Sequence, residues 1–285
     1  MSAHTIRLLM PQWQGGDNPN YSFGAELLAW LAPQNDQPLI KVPVYEPDEM
    51  GLEVENGIRG RAHVINQLKS AQQIIAAYQP ESIIMFGGDC LVEQAPFAYL
   101  NERYNGELGV LWIDAHPDIS TPKEFANSHT MVLGNLLGEG DTEFAGEVKV
   151  PLKPGNIFIA GLEETFAHET EMIQRLGIKT ASTKELQDKP QAITEWIVDQ
   201  GIKHLAIHLD LDVLDPSIFR SLLFANPDLK EPIDFPMGKM HFPQLNNLIQ
   251  TVSQETTVVG LGITEHMPWD SMNLKSLLNG ISIFN

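Results

Sequence analysis

Short apolar runs recur along the chain between longer stretches whose apolar residues return every three or four positions. The runs "TIRLLMP" (5–11), "PLIKVPV" (38–44), "SIIMFGG" (82–88), "GVLWIDA" (109–115), "NIFIAGL" (156–162), "KTAST" (179–183), "HLAIHLD" (204–210) and "TVVGLGIT" (257–264) read as strands. Helical periodicity falls near 22–32, 60–79, 130–138, 168–176, 189–200, 243–253 and 272–279. It is clearest over 60–79, where Val64, Leu68, Ala71, Ile75 and Tyr78 make one stripe. Apolar strands alternating with helices imply an α/β chain in three layers, α/β/α. Its sheet should be mostly parallel, of about eight strands, and covered on both faces. With no low-complexity linker, repeat or break in composition, residues 1–285 are expected to form a single domain.

Composition narrows the function. A formal net charge of −19 argues against nucleic acid and acidic membranes as partners, since both select basic patches. Apolar residues make up 43% of the chain, enough for a sizeable core, yet no run approaches the ~20 residues that span a bilayer. The opening residues lack the basic-then-apolar pattern of a secretory leader, and a lone cysteine cannot form an intrachain disulfide. A soluble, cytoplasmic protein is expected.

Candidate chemistry sits where strands end, which is where open parallel sheets bind ligands. In "WIDAHPDIST" (112–121), strand alternation puts Asp114 and His116 on one face, and Asp118 can fold back after Pro117. In "HLDLDVLDPS" (208–217), Asp210 and Asp212 share a face while Leu209 and Leu211 point into the core. A single D-x-D is often only a turn, and Asp215 before Pro216 is read that way. Two such strings at strand ends bring four carboxylates together, which repel unless cations neutralise them. Oxygen-rich ligation with one imidazole suits Mn²⁺ or a similar ion. The third string, "GGDC" at 87–90, carries the only cysteine.

From about residue 58 to 270 the chain resembles the ureohydrolases: arginase, agmatinase, formimidoylglutamase and related guanidino-compound hydrolases. That family shows G-G-D-H, D-A-H-x-D and S-x-D-x-D-x-x-D-P in this order. The second stands here as residues 114–118 and the third as 208–216. The resemblance implies an arginase-like fold and two divalent metal ions, Mn foremost; the departure at Cys90, below, would leave one site weak or taken by another ion. Asp114 and Asp210 would bridge the ions. Asp118 and Cys90 would complete one shell, and His116 and Asp212 the other. It also implies catalytic roles for Glu265 in "GLGITEHMP", which would hold the guanidinium, for His129 in "NSHTM", which would transfer a proton, and for Asp118. The reaction would be attack of a metal-activated water on a guanidino or formimino compound. The chain would be a small-molecule enzyme and a homo-oligomer.

Three departures qualify that expectation. Cys90 stands where the family supplies a histidine, and a thiolate there would favour Zn²⁺ or Fe²⁺ over Mn²⁺. A buried inert cysteine is the plain alternative. His208 replaces a small residue about 6.6 Å before Asp210 along the strand. It reads as a packing histidine, with contact to an Asp ligand or compensation for Cys90 as alternatives. Phe166 falls where arginases read the substrate α-amine with an aspartate, and Arg220 stands in an unusual loop where a substrate carboxylate could use it. An apolar or acidic tail is therefore favoured over arginine. Two other classes remain: a pseudoenzyme that keeps the fold for binding or regulation with impaired metal binding, and a related-fold metal-dependent deacetylase.

Overall fold

The computed structural model describes residues 4–46, 51–231, 233–281 and 283. The eight expected strands are β1 (Thr5–Met10), β2 (Leu39–Lys41), β5 (Ser82–Gly87), β6 (Gly109–Ile113), β7 (Ile157–Ala160), β8 (Lys179–Ala181), β9 (His204–Asp210) and β10 (Thr257–Thr264). They form one sheet in the order β2-β1-β5-β10-β9-β6-β7-β8, and every pairing in it is parallel. A small antiparallel pair, β3 (Val54–Glu55) and β4 (Ile58–Arg59), was not expected from the pattern.

Alternation along the central strands explains the two faces. On β6, Val110 and Trp112 join one core cluster with Ile6, Leu8 and Val64. Leu111 and Ile113 join another with Leu205, Ile207 and Trp196. Each face is apolar, so each needs a helical cover. The helix Arg61–Tyr78 supplies part of one, burying Val64, Leu68, Ala71 and Ile75, whereas Tyr78 at its end is 43% exposed. The helix Ala192–Gln200 buries Ile193, Trp196 and Ile197 against the other.

All seven expected helical segments are present, and three helices were missed: Gln94–Arg103, Thr142–Gly146 and Thr183–Asp188. The first begins "QAP", and its proline reads as a breaker. Pro96 sits in the first turn, where no intrahelical N–H bond is lost.

Candidate metal and active site

The middle of the sheet brings four strand ends side by side. Ile113 pairs with Leu209 and Asp210 with Thr264, while Ile263 pairs with Phe86. Asp114, Asp210, Glu265 and the segment Gly88–Cys90 therefore emerge together.

Beyond β5, close backbone packing requires glycine. A Cβ at Gly88 would stand 1.8 Å from the Gln12 carbonyl oxygen. Asp89 then accepts hydrogen bonds from Gln12 Nε2 (2.9 Å), Gly15 N (2.9 Å) and Leu91 N (3.1 Å). This ties the loop after β1 to the strand end, and the Gly15 carbonyl in turn accepts from His129 N at 3.3 Å. Burial pushes the Asp89 carboxyl up to about 6.

The two aspartate strings share one local device. Asp114 Oδ1 accepts from His116 N, and Asp210 Oδ1 accepts from Asp212 N, both at 2.7 Å. Each strand thus ends in a side-chain-to-backbone turn, which fixes one carboxylate oxygen; the other accepts from Trp112 Nε1 at 3.0 Å in Asp114 and from Cys90 Sγ at 3.1 Å in Asp210. His116 and Asp212 reach the site through these turns rather than by continued strand alternation, which corrects the face-parity argument but not its destination. Asp215 caps Ser217 N at 2.8 Å, a turn residue as expected.

His116 Nδ1 lies 3.1 Å from Asp212 Oδ2 and 3.4 Å from Asp114 Oδ1. Asp118 folds back with a left-handed φ of 49°, and Glu265 has a φ of 62°. A non-glycine residue there costs about 1 kcal/mol or more, and such outliers cluster at functional sites. Cys90 Sγ, 2% exposed, donates to Asp210 Oδ2 at 3.1 Å and lies 3.7 Å from Glu265 Oε1. His129 Nδ1 is 3.1 Å from Glu265 Oε1, so two of the three expected catalytic groups are partners.

Charge is the site's difficulty. Burial, then neighbouring carboxylates, push Asp118 and Asp210 well above the ordinary carboxylate range. Burial raises Asp212 as well, opposed by His116. For Asp114 burial also opposes charge, but His116 and His208 prevail and hold its carboxyl low. Burial and four surrounding carboxylates push the Cys90 thiol well up. Burial works against charge on His129, yet Glu265, with Asp118 and Asp89 behind it, lifts the ring to about 9.

A cavity of ≈ 360 Å³ opens above these residues. Cys90, His116, Asp118, Asp210, Asp212, His129 and Glu265 all reach it, and Asp114 lies beneath. Its other wall is aromatic. Phe125, Phe224 and Phe235 line it, and Phe166 packs behind at 5.5 Å from Phe125 and 5.2 Å from Phe235. Arg220 does not line the cavity; its guanidinium lies 3.5 Å from Asp270 on the surface. Sequence reasoning missed Tyr21, which is buried beside Glu265 and carries no motif to mark it. It also missed Glu93, three residues after Cys90, which binds His208.

A family model described as the Arginase family matches residues 32–222. The chain belongs to the arginase family. An arginase of Staphylococcus aureus (strain MRSA252) is 27% identical over 191 residues, 64% of this chain and 63% of that protein. An arginase of Brevibacillus brevis is 29% identical over 144 residues, 47% of each. The match thus spans less than two thirds of these relatives' length. Entamoeba histolytica arginase, solved with L-ornithine, superposes with a TM-score of 0.77 over 99% of this chain and 100% of its own, at 21% identity. Formimidoylglutamase of Bacillus subtilis superposes at 0.67 over 93% and 79%, at 14% identity. At these identities the likeness establishes the arginase fold.

Members of the arginase family normally bind two metal ions, and the donor set here fits such a centre. Asp118 Oδ2, Asp212 Oδ1 and His208 Nε2 are buried without a hydrogen-bond partner among the described residues. Asp114, His116 and Asp212 offer ligand atoms within 4.8 Å of one another, as do Asp114, Asp118 and His208. Buried carboxylate oxygens with no donor are what a cation would satisfy.

Proposed function

We propose that this chain is a divalent-cation-dependent hydrolase of a linear amidine, a guanidino or formimino compound with an apolar tail, and that arginine is not its preferred substrate. One observation carries the reading. Four aspartates converge at one strand-end site, two of them, Asp118 and Asp212, with an unpartnered oxygen, below a cavity that holds Glu265 and His129. In this reading Asp114 and Asp210 would hold two cations, together with Asp118 and the donor at position 90 for the inner one and with His116 and Asp212 for the outer. Mn²⁺ is the preferred ion for so many carboxylates. Bound cations would supply a water of lowered pKa and polarise the amidine.

The protein's own groups do the rest. Glu265 offers a carboxylate to the planar amidinium, which it can grip with both oxygens. His129 has a hydrogen-bonded partner in Glu265 and carries the proton to the leaving amine. Asp114 and Asp210 are held by their backbone turns before substrate arrives, so little ordering remains to be done. The aromatic wall takes the tail and keeps water away. No lysine or arginine lines the cavity among the described residues, which favours an apolar tail over an acidic one. We also place the chain in a homo-oligomer, for which the exposed apolar row Leu274, Leu277 and Leu278 offers surface.

The test is a panel of guanidino and formimino compounds assayed with several metals. Release of urea or its analogue from an apolar-tailed member supports the reading. A protein that binds no cation and hydrolyses none of the panel is the pseudoenzyme with a binding or regulatory role instead.

A further inference from the structure

The proposed inner shell has a weak member. Cys90 is a buried thiol that already donates to Asp210 and touches Thr264 Oγ1 at 3.5 Å. An imidazole stands close by, on another strand. His208 lies on β9, in register with Trp112 on β6 and Gly262 on β10. It is fully buried, as is Glu93, and its Nδ1 lies 2.7 Å from Glu93 Oε2. Its ring stacks on Trp112, with centroids 3.6 Å apart and planes 17° apart. A Cβ at Gly262 would stand 1.8 Å from Glu93 Oε1, so the bare glycine makes the room in which this carboxylate sits.

The ring is thus fixed by one edge and one face, and its other edge is turned towards Asp114. Nε2 has no hydrogen-bond partner among the described residues and lies 3.4 Å from Asp114 Oδ2. With Asp114 and Asp118, His208 makes one set of ligand atoms within 4.8 Å, and with Cys90 and Asp210 another. The two sets between them contain the three carboxylates assigned to the inner cation.

We propose that His208, held by Glu93, supplies the imidazole donor of the inner cation site and that Cys90 is not a ligand. The proposal rests on the two-cation reading above. The chemistry is consistent at each atom. An Nδ1–H donated to Glu93 leaves the lone pair on Nε2, directed into the site, and a carboxylate behind a ligating histidine fixes its tautomer and ring. Three carboxylates and one neutral imidazole also give the inner cation the donor set that a histidine at position 90 would complete. A thiolate there would add a fourth negative charge. The imidazole has moved from the end of β5 to the body of β9, and Glu93 and Gly262 are what hold it there.

The experiment measures cations per chain by equilibrium dialysis against Mn²⁺ with metal analysis, on the full-length protein and on His208→Gln, Cys90→Ala and the double change Cys90→His with His208→Ser. Circular dichroism melting checks that each is folded. Two cations are expected for the parent and for Cys90→Ala, one for His208→Gln, and two again for the double change. Glu93→Gln should keep the ring but weaken the inner site by about 10–100-fold. With Co²⁺, the parent should lack a thiolate charge-transfer band. His208→Gln that still binds two cations as the parent does overturns the proposal, and so does loss of a cation from Cys90→Ala. A parent that binds one cation, unchanged in His208→Gln, overturns it too: the ring is then an internal cation beside Asp114. A parent that binds none overturns the two-cation reading itself.

Discussion

Replacing Phe235 by alanine should separate recognition of the amidine from recognition of its tail. Phe235 lines the cavity and packs against Phe125 at 5.5 Å, Phe166 at 5.2 Å and His116 at 6.1 Å. The Phe125–Phe166 pair, 5.5 Å apart, survives the change, so the wall loses a ring without collapsing. If a bound tail covers roughly half of the ~150 Å² that an aromatic ring can bury, ~25 cal/mol per Å² gives about 2 kcal/mol. That is about a 30-fold weaker Kd. Calorimetry on the metal-loaded protein reads it with two probes of equal charge, hexylguanidinium and methylguanidinium. The long probe should bind about 30-fold more weakly to the variant, and the short one as to the parent. Equal losses for both would mean that Phe235 shapes the cation site rather than the tail pocket. No loss for hexylguanidinium would refute the apolar-tail assignment.

Three other outcomes follow from particular contacts. L-arginine should be turned over at least ~100-fold less efficiently than the best apolar-tailed substrate, because its α-amine and carboxylate would lie unpaired against phenyl rings; efficient arginine turnover with the as-purified metal contradicts this. Glu265→Gln should weaken methylguanidinium binding by about 2–3 kcal/mol, the worth of a charge-assisted bond, as read by the same calorimetry. Arg61 forks onto Asp141 at 2.6 and 3.1 Å and bonds Glu143 at 2.9 Å, with its side chain 9% exposed; Arg61→Met should destabilise the fold by about 3 kcal/mol in urea melts at neutral pH. Burial opposes charge on Asp141, but Arg61 prevails and holds its carboxyl below the ordinary range. Its contribution is therefore full above the unfolded value near ~4 and fades as pH falls through the lowered native one, so the gap between parent and variant should narrow in acid.

The middle of the sheet was legible because its strands are buried on both faces and read as apolar runs, as "GVLWI" does. Their ends were less legible: at Asp114 and Asp210 the side chain turns the backbone, and the pattern of residue types cannot distinguish that from one more strand residue. Helix Gln94–Arg103 was hidden by a proline whose harmlessness depends only on its place in the first turn. The site's aspartates could be found because their strings repeat at strand ends. Tyr21 could not, since it reaches Glu265 from a helix far away in the chain. Arg220 was offered to a substrate carboxylate on its residue type alone, and the fold turns it to Asp270 instead. His208 was visible as an oddity, but its meaning depends on Glu93 and Gly262, which only the folded sheet brings beside it.

The central claim is that the strand-end aspartates hold a pair of cations. Anomalous diffraction from crystals grown with Mn²⁺ tests it most directly. The account predicts two peaks ~3.5–4 Å apart, bridged by Asp114 and Asp210. Crystals that diffract well with no anomalous peak among Asp114, Asp118, Asp210 and Asp212, at Mn²⁺ concentrations that saturate arginases, would contradict it.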